Sequence, residues 1–152
     1  MFEIDYSQAK EFASITDGTY ETFVEKAVQD ATKNGADFIN IHFRIRKDFQ
    51  QEFQNNIIFH RIFAKKEDGK YPVGAIMNLA KQAGIPDGTK FKSLDDYLNQ
   101  LLNKCLKITV KNETSEYNGN TYNNLNVKRI EKSDIPTMVN PVEEFKEDDL
   151  PF

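Results

Sequence analysis

The 152-residue chain has little of what most enzyme chemistry requires. Its one cysteine, Cys105, excludes a disulfide framework within the chain and makes a reducing, cytosolic compartment the default. Cys105 opens a strand-like run, where a small buried hydrophobe is the expected role. The two histidines, His42 and His60, have no closely spaced third ligand, so no metal site is expected. Seven glycines supply no phosphate-cradling loop, and no nucleophile frame or paired catalytic carboxylates stand out. Asp95 and Asp96 belong to a helix start, where carboxylates favour the dipole. No apolar run is long enough for a signal peptide or a membrane span. The expectations are therefore no enzyme, no cofactor and no membrane partner.

Charge is present but unevenly placed. Residues 131–152 hold seven Asp/Glu against two Lys, which is −5. The whole chain is −4, so residues 1–130 carry 18 Lys/Arg against 17 Asp/Glu, or +1. Any surface for a polyanion must be a local patch on a nearly neutral body.

The chain divides into an N-terminal segment (1–17), a domain (18–130) and an acidic tail (131–152). Ser7 to Ala13 reads as a short helix capped by Ser7, packed on the body or on a second subunit. A long strand is expected from Gly18 to about Ala31, without a cleanly polar face. Asn34-Gly35 is a turn. Ile39, Ile41, Phe43 and Ile45 then alternate with Asn40, His42, Arg44 and Arg46, giving one apolar and one basic face. A polar connection with Phe49 and Phe53 leads to a third strand, Ile57 to Lys65, either parity of which can face the core. Val73 to Ala83 has helical spacing and stops at Gly84 and Pro86. A second helix starts after Ser93. Cys105 to Lys111 and Leu125 to Ile130 are the last strands, separated by a polar stretch with a turn at Asn118-Gly119. Pro136 and Pro141 punctuate the linker that follows.

Three strands, a helical insert and two strands match a five-stranded OB-fold barrel, with the insert between strands 3 and 4, although a generic α+β domain gives the same order of elements. Such barrels bind oligonucleotides on one face and in loops. The fold class expected is therefore mainly β, with a disordered acidic C-terminal tail. Lys and Arg for a phosphate backbone and ring faces for bases are the needs of single-strand binding. The candidates are Arg44, Arg46, Lys47, Phe49, His60, Arg61, Phe63, Lys65, Lys66, Tyr71, Lys107, Lys111, Tyr117 and Tyr122.

The tail ends in Asp148-Asp149-Leu150-Pro151-Phe152. Pro151 holds Leu150 extended, so Phe152 projects an apolar ring after a run of carboxylates. This end resembles the terminal motif of bacterial and phage single-stranded-DNA-binding proteins (SSBs). The body resembles the phage branch of that family in Gly18-Thr19-Tyr20, Lys33-Asn34-Gly35, Phe59-His60-Arg61-Ile62-Phe63, Ala83-Gly84-Ile85-Pro86, Lys107-Ile108-Thr109-Val110-Lys111 and Tyr117-Asn118-Gly119. A linker of only about twenty residues departs from the long Gly/Gln-rich linker of bacterial members. The resemblance implies a non-catalytic protein that coats single-stranded DNA during phage replication or recombination in the bacterial cytoplasm. It also implies recruitment of replication and recombination proteins through the tip. A homo-oligomer, if formed, is expected to be a dimer. The alternative is an OB-fold protein–protein adaptor that uses the same tip without strong DNA binding.

Overall fold

The structure, a computed structural model, describes residues 3–4 and 14–137. The helix expected from Ser7 to Ala13 lies outside the described residues, and so does the tip at Asp148, Asp149, Leu150, Pro151 and Phe152. In chain order the elements are β1 (Gly18–Ala31), β2 (Asp37–Ile45), β3 (Ile57–Phe63), α1 (Val73–Gln82), α2 (Leu94–Leu101), β4 (Cys105–Tyr117) and β5 (Asn120–Lys132). The strands form one antiparallel sheet in the order β3-β2-β1-β4-β5. Both helices fall between the third and fourth strands. Among the described residues no helix is long and apolar enough to cross a membrane.

A bulge between Val24 and Lys26 explains why β1 shows no clean alternation. It lets Val24 and Ala27, three residues apart, both point into the core. In β2 the period-two pattern holds throughout, and Ile39, Ile41, Phe43 and Ile45 have no exposed surface. They pack with Ile58, Leu79, Leu98, Leu101, Leu106 and Ile108. In β3 the inward parity is Ile58 and Ile62, which leaves Phe59, Arg61 and Phe63 outside.

The helices start and stop on local chemistry. Ser93 Oγ accepts the Asp96 N–H at 3.2 Å and caps α2. Past α1, Gly84 takes φ 85°. Ile85 N–H then reaches Ala80 O at 3.0 Å and Gly84 N–H reaches Lys81 O at 3.2 Å, a Schellman stop.

Two sequence expectations need correction. The polar stretch Asn112 to Asn124 is strand apart from the turn at Asn118-Gly119, so β4 and β5, thirteen residues each, pair from Leu106 opposite Lys132 to Tyr117 opposite Asn120. The sheet is also open. β3 and β5 are its two edges and approach one another without a hydrogen-bonded ladder between them. The outer half of the β4–β5 ribbon carries almost no apolar residues to fold it back over β3.

Candidate nucleic-acid interface

The outward row of β3 carries two exposed aromatic rings. Phe59 is 60% exposed and Phe63 is 45% exposed, with exposed Arg61 between them. Register places Phe59 beside His42, Arg61 beside Asn40 and Phe63 beside Phe38 on β2. The contacts follow from that register. His42 meets the Phe59 ring edge-on at 4.8 Å, and Phe38 and Phe63 lie tilted at 5.3 Å. The Arg61 guanidinium sits over the Phe38 ring at 4.9 Å, so its position is held without a carboxylate. Lys26 and Val28 of β1 continue the same face through their partners His42 and Asn40. Along the edge, Phe59, Arg61 and Phe63 form one wall of a cleft whose other wall is residues 123–128 of β5, ending in Lys128, which pairs with Glu113 at 2.5 Å.

The expected basic residues are less available than the sequence suggests. Arg44 forks onto Glu25, with Nε–Oε2 at 2.6 Å and Nη2–Oε1 at 3.0 Å. Lys65 pairs with Asp68 at 3.6 Å, and Lys107 pairs with Asp134 at 3.2 Å. The Asp134 bond raises the Lys107 pKa. Lys47, Arg61, Lys66 and Lys111 are exposed and make no ion pair among the described residues.

Arg46 is a correction. It was expected on the open basic face, but it is 1% exposed. Its guanidinium forks onto Asp48 at 2.9 and 2.7 Å and also donates to Ser133 Oγ at 3.3 Å, Ile135 O and Thr137 O. Glu21 Oε1 lies 3.9 Å away and takes a hydrogen bond from Ser133. Burial opposes the charge, but the hydrogen bond to Asp48 and the nearby carboxylates outweigh it and raise the pKa. Arg46 therefore fastens residues 133–137 to the exit of β2 and presents no donor to a ligand. Phe49 is half-buried with its ring 5.9 Å from that guanidinium, in a structural position.

The other candidates scatter. His60 has the inward parity of β3 and stacks on Phe43 at 6.1 Å, and burial lowers its pKa. Burial, then the charge of Lys26, also lowers His42. Tyr71 is half-buried against the core and its hydroxyl accepts from Gln29 Nε2 at 3.1 Å. Tyr117 and Tyr122 are exposed on the outer β4–β5 ribbon. They share a face, since Tyr117 pairs with Asn120 and Tyr122 with Ser115. Cys105 is partly buried, and burial raises its thiol pKa. Among the described residues no three His, Cys, Asp or Glu side chains gather as metal ligands.

Sequence reasoning named Arg61 and Phe63 but passed over Phe59, Lys26 and Lys128. Alternation did carry the signal for Phe59. Once Ile58 and Ile62 are taken as core, Phe59 must share the outer face with Arg61 and Phe63. No curated protein matches the chain. Residues 2–137 match the family described as "Protein of unknown function (DUF669)", and the chain belongs to that family.

Proposed function

We propose that the protein binds single-stranded DNA on the outer face of β2 and β3 and serves phage DNA replication or recombination in the bacterial cytoplasm. The observation that carries the reading is the exposed Phe59–Arg61–Phe63 row. Outward residues on a strand repeat about every 6.6 Å, so the two rings stand about 13 Å apart with a cation midway. That is a backbone contact between two stacking platforms, the combination single-strand binding uses. The strand order lends support to the OB-fold reading: joining edges β3 and β5 would turn the order β3-β2-β1-β4-β5 into a five-stranded barrel. In this reading the Leu150-Pro151-Phe152 end recruits replication and recombination proteins by burying its apolar side chains in their pockets.

Fluorescence titration of the purified protein with oligo-dT, duplex and RNA tests the first part. Saturable oligo-dT binding that Phe59→Ala and Arg61→Ala both weaken is expected. Absence of binding at low salt would remove the reading.

The pairing of Arg44, Lys65 and Lys107 with carboxylates favours a second reading, a protein–protein adaptor. It would be preferred if oligo-dT does not bind while replication enzymes are still retained in a manner lost on Phe152→Ala.

A further inference from the structure

On the helical side of the sheet, α1, the segment after it and α2 enclose a groove with no occupant among the described residues. Ile76 and Met77 line one side, Ile85 and Phe91 the other, and Leu94 closes it. Its shape is fixed by specific bonds. The Schellman stop after α1 positions Ile85. Tyr97 Oη donates to Ile76 O at 2.7 Å, and the Phe91 ring stands edge-on to Tyr97 at 5.4 Å. Met77 is nevertheless 62% exposed, so an organised apolar surface faces water. Lys81 stands at the rim, and Asp87 lies on the same lining.

We propose that this groove takes the acidic end of the same chain, with Leu150 and Phe152 seated beside Ile76, Met77 and Phe91 and with Asp148 and Asp149 toward Lys81. The chemistry matches: two apolar side chains follow three consecutive acids, Glu147 to Asp149. The chain also passes close by. The Lys132 N–H donates to Gln82 Oε1 at 3.0 Å, and Gln82 is the neighbour of Lys81. Fifteen residues, 138–152, follow the last described one. At about 3.3 Å each they can span about 50 Å, ample for a domain of this size. A segment held here is withheld from partner proteins, which must displace it. The inference stands whether or not the sheet binds nucleic acid.

The test uses the full-length chain labelled at methionine methyls and phenylalanine rings, dilute enough to limit association. A nuclear Overhauser contact between the Met77 methyl and the Phe152 ring is expected, lost in Phe152→Ala and weakened in Lys81→Glu. Met77 and Lys81 are exposed, so substitutions there spare the core. A synthetic peptide of Glu143 to Phe152, added to the Phe152→Ala chain, should bind and should lose at least about tenfold in affinity on Met77→Gln. A short tether gives an effective concentration of about 1 mM. A peptide that fails to bind at about that concentration, with no contact in the full chain, overturns the proposal. A contact seen only between differently labelled chains in a mixed sample overturns it too, since the occupant would then be a second copy.

Discussion

At the scale of single residues, Arg46 and Arg61 show how one side-chain type is put to opposite uses. Arg61 rests on an aromatic face with its donors open, whereas Arg46 spends its donors on Asp48, Ser133, Ile135 and Thr137. Arg46→Ala removes the buried guanidinium that forks onto Asp48 and lies 3.9 Å from Glu21. Truncating one partner of a buried pair costs about 3–5 kcal/mol, so urea unfolding should show a loss of that order. Phe59→Ala should do the reverse. The ring is mostly in water, so the urea midpoint should hold, while oligo-dT affinity should fall by about 1–3 kcal/mol if the ring is a platform. A lowered midpoint with unchanged affinity would make Phe59 structural. His60 adds a pH dependence with a definite sign. Burial lowers its folded pKa below the ordinary 6.5, so the unfolded chain takes up the proton first as the pH falls. The stability it contributes is present above about pH 6.5 and is lost as the pH falls through the folded pKa. The melting temperature of the native protein should therefore drop more between about pH 7 and about pH 5 than that of His60→Leu. Equal slopes would show that His60 is not buried neutral.

At the scale of elements, legibility followed the strength of the local signal. β1 begins at Gly18 and ends at Ala31 as the sequence indicates, and the Ser93 cap of α2 is read from side chains only three residues apart. The inward parity of β3 was not readable, because Ile58 and Ile62 alternate with residues just as apolar at Phe59 and Phe63. Nor was the fate of Arg46, whose partner Ser133 is 87 residues away. The β4–β5 ribbon escaped for a different reason. Asn, Thr, Ser and Glu there bury nothing, and their pairing is set by the Asn118-Gly119 turn, where both residues have positive φ, and by the ladder itself. That ribbon can be shortened without touching the core. Deleting Ser115, Glu116, Thr121 and Tyr122 keeps Tyr117 opposite Asn120 and Thr114 opposite Asn123, and removes only exposed residues. The melting temperature should be nearly unchanged. Oligo-dT affinity should fall by about 1–3 kcal/mol if Tyr122 is a platform. Unchanged affinity would confine the interface to β2 and β3.

At the scale of the whole molecule, electrostatics must come from a patch, because residues 1–130 carry a net charge of only +1. Lys47, Arg61, Lys66 and Lys111 are the candidate cations without an ion pair among the described residues, and Arg44 is neutralised by Glu25 at 2.6 Å. Single strands release counterions with a slope of about −0.7 per phosphate neutralised, so contact by about four cations gives log affinity against log salt a slope near −3. Glu25→Gln makes the sharper test. Glu25 and Arg44 are both partly exposed, so losing that bridge should cost stability little. The substitution removes one negative charge from the face and leaves the Arg44 guanidinium, still bonded to Asn55 O, without a carboxylate beside the Phe59 row. Oligo-dT affinity at low salt should rise, and the slope should steepen by about 0.7, one further phosphate. Arg44→Ala in the same background should return the slope to its starting value. If Glu25→Gln changes neither affinity nor slope while the protein stays folded and binding, then the nucleic acid does not pass over β2 at Arg44. Binding would then belong to the β3 edge at Arg61, which a separate loss of slope on Arg61→Gln would confirm.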